Sequence, residues 1–96
     1  MDTKKITKMM KALSNPNRFE IFMEIYKSNQ QANFEDEECF VYDVMQRLNI
    51  GAPTISHHLK ELSNADLIIT ERRGKHIVAR VNEETVSHLR DALILD

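Results

Sequence analysis

Thr54, Ser56, His57 and Lys60 stand in one short stretch, Pro53-Thr54-Ile55-Ser56-His57-His58-Leu59-Lys60-Glu61-Leu62. Ile55, Leu59 and Leu62 recur at spacings of four and three, so the stretch predicts a helix with an apolar seam. The four polar residues then fall on its outer face. Hydroxyls, an imidazole and an ammonium near a helix N-terminus suit contacts to phosphates and base edges. Further on, Arg72-Arg73-Gly74-Lys75 gathers basic residues around a glycine, a second cationic feature that could hold a polyanion.

Other chemistries find less support. Ser56 and His57 are neighbours on a helix and do not face each other, so they make no catalytic pair. The chain has no G-x-S-x-G, P-loop or paired-histidine motif, and it is short for a substrate cleft. A non-enzyme is the expectation. His57 and His58 point about 100° apart and are poor joint ligands, so His58 is expected to be structural. The single cysteine, Cys39, can form neither an internal disulfide nor a cysteine-cluster zinc site. The acids Glu35, Asp36, Glu37 and Glu38 precede it and would raise a thiol pKa, whereas reactive thiols need positive surroundings. Cys39 is therefore read as a small buried apolar residue, and the acidic run as a solvated loop without a calcium-loop pattern.

The elements that must position these groups follow from periodicity. Ile6, Met9, Met10 and Leu13 make the stripe of a first helix, about Thr3 to Leu13. Asn15 and Pro16 suit the start of a second helix, expected to end near Lys27. Phe19, Phe22, Met23 and Tyr26 form its stripe, widened by Ile21 and Ile25. Ser28 to Glu38 carries no period and reads as a loop. A short helix, about Val41 to Leu48, turns Val44, Met45 and Leu48 inward, and Asn49-Ile50-Gly51 breaks it. The next helix, about Pro53 to Asn64, is the one described above.

After Asp66 the period changes. Leu67 to Glu71 and His76 to Val81 are β-branched runs joined by Arg72-Arg73-Gly74-Lys75, which predicts a hairpin with a basic tip. Asn82 then caps a last helix with Val86, Leu89 and Leu93 as its stripe. The fold expected is mostly α with a small β-hairpin, in the order α-α-α-α-β-β-α, one domain over 1–96. The two helices joined at Asn49-Ile50-Gly51 make a helix-turn-helix, and the hairpin is its wing.

These residues resemble the ArsR/SmtB family of winged-helix repressors. Lys11-Ala12-Leu13-Ser14-Asn15-Pro16-Asn17-Arg18-Phe19 is similar to the family's entry to the second helix. Pro53 to Leu62 is similar to its recognition helix, and Leu67-Ile68 through Lys75 to its wing. The resemblance implies a homodimer joined through the first and last helices, using Ile6, Met9, Met10, Leu13, Val86, Leu89 and Leu93. It implies repression at a palindrome-like DNA operator, with Thr54, Ser56, His57, Lys60, Arg72, Arg73 and Lys75 as contacts. Ala52 stands where the family often has Gln, so apolar contact replaces a bidentate hydrogen bond to adenine. Asp66 replaces the usual Gly, and Asp tolerates a positive φ better than most residues.

Many members of the family release DNA on binding a metal. One family site uses two cysteines at positions that match Phe40 and Tyr42, beside the acid Asp43; Cys39 is out of register by one. The other needs a set of ligands on the last helix, where only His88 is present. No metal and no other cofactor is expected. A thiol- or metal-responsive sensor with an atypical site is the alternative, as is a winged-helix interaction module that does not bind DNA.

The net charge of −2, from 13 Lys plus Arg against 15 Asp plus Glu, hides an uneven distribution. Gly51 to Arg80 holds five basic residues against three acidic, whereas 81–96 holds one against four. The expected reading surface is thus the basic part of the chain. No apolar run is long enough for a membrane span, and the N-terminus has no signal-peptide pattern. A cytoplasmic, nucleoid-associated protein is the expectation.

Overall fold

The computed structural model describes residues 2–31 and 38–94. Its elements are α1 (Thr3–Leu13), α2 (Pro16–Gln31), β1 (Cys39–Phe40), α3 (Val41–Leu48), α4 (Ala52–Asn64), β2 (Ile68–Arg73), β3 (His76–Val81) and α5 (Glu83–Ala92). The strands form one antiparallel sheet in the order β1-β3-β2.

Local chemistry sets the helix boundaries. The Lys4 N–H donates to Asp2 Oδ1 at 2.9 Å and opens α1; the Arg18 N–H donates to Asn15 Oδ1 at 3.0 Å and opens α2. Arg18 Nε also donates to the Ala12 carbonyl, fastening the α1–α2 corner. The expected stop of α2 near Lys27 is too early. The helix continues through Ser28, Asn29 and Gln30 because Asn29 reaches the sheet, its Oδ1 accepting from the Val81 N–H at 2.7 Å. Polar residues carry this last turn, so no apolar period marked it. The acidic run from Glu35 to Glu37 lies outside the described residues.

A second correction concerns the strands. Cys39 and Phe40 form a third strand, paired with Ala79 and Val78, so the order is α-α-β-α-α-β-β-α. Two residues are too few to show a period of two. The hairpin ladder also runs further than expected: Arg72 pairs with Ile77 and Arg73 with His76, leaving Gly74 and Lys75 as the turn. Gly74 has φ +61°. A positive φ at the first turn residue is the requirement that only glycine meets freely in this tight hairpin.

The core draws on every helix. Ile21, Ile25, Leu62, Leu67 and Val44 are fully buried at its centre. In α2 the buried set is Ile21, Phe22 and Ile25, while Phe19 is 46% exposed, so the isoleucines and not Phe19 define the inward face. Phe22 and Tyr26 stack with ring centroids 6.5 Å apart.

Candidate nucleic-acid interface

The turn between α3 and α4 is built from two backbone devices. Asn49 ends α3 in the left-handed conformation, φ 54°, and the Ile50 N–H returns to the Met45 carbonyl at 3.0 Å. Gly51 then takes the cap position of α4 with no side-chain hydrogen bond to it. Pro53 in the first turn contributes no N–H. The first donors of α4 are therefore not satisfied by a capping side chain, and they lie beside Thr54.

Along α4 the two faces separate cleanly. Ile55, His58, Leu59 and Leu62 are buried, and Thr54, Ser56, His57 and Lys60 are all exposed. His58 is 7% exposed, and its Nδ1 has no hydrogen-bond partner. Burial, then the positive Arg18, then His57, push its pKa below the ordinary 6.5. Burial thus disfavours the charged imidazolium, and the ring packs on the inner side of α4. His57 keeps its ring outside, 5.7 Å from that of His58.

The wing adds a second wall. Ser56, Leu59, Lys60 and Ser63 of α4 line an open groove of 310 Å³ with Thr70 and Ile77 of the hairpin. Strand side chains alternate between faces, so Arg72 projects on the same face as Thr70, toward the groove. Arg73 projects on the opposite face. There its Nε is 3.0 Å from Glu38 Oε1 and its Nη1 2.9 Å from Glu71 Oε2. Arg80 Nη2 also reaches Glu71, at 3.3 Å. The hydrogen bond to Glu38, then the charges of Glu38 and Glu71, hold the Arg73 guanidinium still more firmly protonated. Thus the sequence-based contact set divides. Ser56 and Lys60 line the groove, and Arg72 projects on its face of the hairpin. Thr54 and His57 are exposed on α4 outside the groove lining, and Lys75 is exposed in the turn, while Arg73 is engaged behind the sheet.

The residues expected at a dimer seam also divide. Ile6, Met9 and Leu89 are already buried within one chain, and Leu13 and Val86 pack partly against the same core. Met10 is 46% exposed and Leu93 54%. Ile94, absent from the expected seam, is 59% exposed beside them in sequence. Its apolar type was the available signal, but it lay one residue past the helical stripe.

The start of α3 does not suit a thiolate metal site. Phe40 packs edge-on against His76, with centroids 5.4 Å apart, and Tyr42 is exposed. Neither presents a thiolate: Phe40 offers only carbon, and Tyr42 ends in a phenol hydroxyl. Cys39 is buried; burial pushes its thiol pKa up, with Ser28 and Arg47 opposing. Among the described residues, no three His, Cys, Asp or Glu side chains cluster as metal ligands. No helix among them is long and apolar enough to cross a membrane.

Comparison with known proteins points one way. Residues 34–70 match the family described as bacterial regulatory protein, arsR family. The chain is 26% identical over 93 residues to the arsenical resistance operon repressor of Staphylococcus xylosus, covering 97% of this chain and 81% of that protein. It is 31% identical over 74 residues to the transcriptional repressor SdpR of Bacillus subtilis, covering 77% and 72%. Among solved structures, a homodimeric winged helix-turn-helix DNA-binding domain from Mycobacterium bovis superposes with a TM-score of 0.71. That match has 19% identity and covers 93% of this chain and 75% of the other.

Proposed function

Because the chain belongs to the ArsR family of winged helix-turn-helix transcriptional repressors, we propose that it represses as a homodimer on a palindrome-like DNA operator. The α4 face made by Thr54, Ser56, His57 and Lys60 enters the major groove, and α3 braces across the backbone. The uncapped first turn of α4 donates to a phosphate, helped by the positive end of the helix. Arg72 and Lys75 hold the flanking backbone from the wing. Met10 and Leu93, with Ile94, meet their copies in the second protomer, an isologous contact. Two-fold symmetry then sets the recognition helices about 34 Å apart, one turn of DNA.

The observation that carries this reading is the shared groove: α4 and the wing place Ser56, Lys60 and Thr70 around one concavity, with Arg72 on the same face. With no thiolate at the family's cysteine positions, held here by Phe40 and Tyr42, repression runs without that metal site. The test is a binding titration of a duplex fragment from upstream of the chain's own coding sequence at several salt concentrations. Salt-dependent binding that exceeds a random-sequence duplex supports the proposal. Absence of binding to either duplex at low salt removes it.

A further inference from the structure

The hairpin is longer than its support. β1 covers β3 only at Val78 and Ala79, so from Arg72 to Ile77 the wing is a two-stranded ribbon. Such a ribbon is marginally stable in water and twists readily. Yet Arg72 and Lys75 sit in this part, and each needs a fixed position to meet a phosphate. The structure shows what holds it. Two contacts run from the short segment Glu38–Phe40 to the last ladder pair before the turn. Glu38 Oε1 accepts from Arg73 Nε at 3.0 Å, and the Phe40 ring meets the His76 ring edge-on at 5.4 Å. Glu71 completes the set by bridging Arg73 and Arg80, at 2.9 and 3.3 Å.

We propose that Glu38, Glu71 and Arg73 are positioning residues: they strap the wing from behind and thereby place Arg72 and Lys75 on the DNA backbone, while Arg73 itself contacts no phosphate. The argument rests on the alternation of the strand. Adjacent arginines point to opposite faces, one toward the α4 groove and one into a cluster with two carboxylates. Among the described residues, neither Arg72 nor Lys75 closes an ion pair, so both cations remain available to DNA. The strap also gives Glu38 a role that its place at the end of an acidic run concealed.

This inference rests on the DNA-binding reading, and a sign test separates the two. Removing an acid from a DNA-binding protein ordinarily strengthens binding, because repulsion from phosphate falls. Removing a strap weakens it. In the intact chain, Glu38→Gln, Arg73→Gln and the double variant are titrated with the upstream duplex across a salt series. The expected result is that Glu38→Gln weakens binding about two- to five-fold, the range of a well-formed exposed ion pair. Its salt slope falls, although the protein has become more positive, and the double variant binds no worse than Arg73→Gln. Phe40→Leu, which removes the ring contact, weakens binding in the same direction. Tighter or unchanged binding by Glu38→Gln overturns the strap, as do additive effects in the double variant. A parent chain that binds neither duplex overturns the DNA reading itself, and the strap with it.

Discussion

The helix α4 and the pair α1 with α5 use the same amphipathic pattern to different ends. In α4 Ile55, Leu59 and Leu62 are buried in their own chain, and after the exposed Ala52 and Pro53 the outer face is polar. In α1 and α5 the stripe is split: Ile6, Met9 and Leu89 go inward, while Met10 and Leu93 remain about half exposed. A helix with no apolar surplus offers hydrogen bonds to a polar ligand. A helix with a surplus offers area to an apolar one, and a second copy supplies such a surface by symmetry. On the function proposed above, the difference separates reading from pairing.

The comparison can be broken at its strongest point first. Leu62 is fully buried on α4, so Leu62→Ala should lower stability by about 2–5 kcal/mol in chemical denaturation. A loss below about 1 kcal/mol would mean that α4 packs less tightly than described. Next comes the pairing surface. The double substitution Met10→Lys with Leu93→Lys should convert dimer to monomer in sedimentation, weakening association by about 1.5–3 kcal/mol per side chain removed from burial. The far-UV spectrum should stay unchanged. An intact dimer would place the seam elsewhere. Leu89→Ala, by contrast, should cost fold stability, because Leu89 is buried within one chain.

The remaining expectations are smaller. Arg72→Gln and Lys75→Gln should each reduce the salt slope of DNA binding by about one per protomer, with no change in melting. His58 gives the finest test of the buried face. Its folded pKa is depressed, so the unfolded state takes up protons first as pH falls below 6.5. Stability is therefore full above 6.5 and declines below it, until His58 also protonates in the fold. Denaturation midpoints measured from pH 7.5 to 5 should fall less in His58→Gln than in the parent chain.

Much of this arrangement was legible in the sequence. Periodicity located α1 and α3 at their observed bounds, and Ile55, Leu59 and Leu62 fixed the polarity of α4. Asp66 does adopt a positive φ, 61°, as its replacement of a glycine implied. What escaped were features made by contacts distant in sequence. The last turn of α2 depends on Asn29 meeting Val81, 52 residues away. β1 is defined by its partner on β3, since two residues have no pattern of their own. The split between Arg72 and Arg73 was hidden because the ladder extends through both, where a four-residue tip was expected. Once strand alternation applies there, the two arginines part.

The central claim is that α4 and the inner face of the wing form one DNA-reading surface in each half of a dimer. It is tested most directly by the salt dependence of binding to the upstream duplex. With Lys60, Arg72 and Lys75 from each of two protomers on phosphates, the slope of log K against log salt should be about −5. It should fall to about −2 when Arg72→Gln and Lys75→Gln are combined. A slope near zero, or one unmoved by that double variant, would contradict the claim.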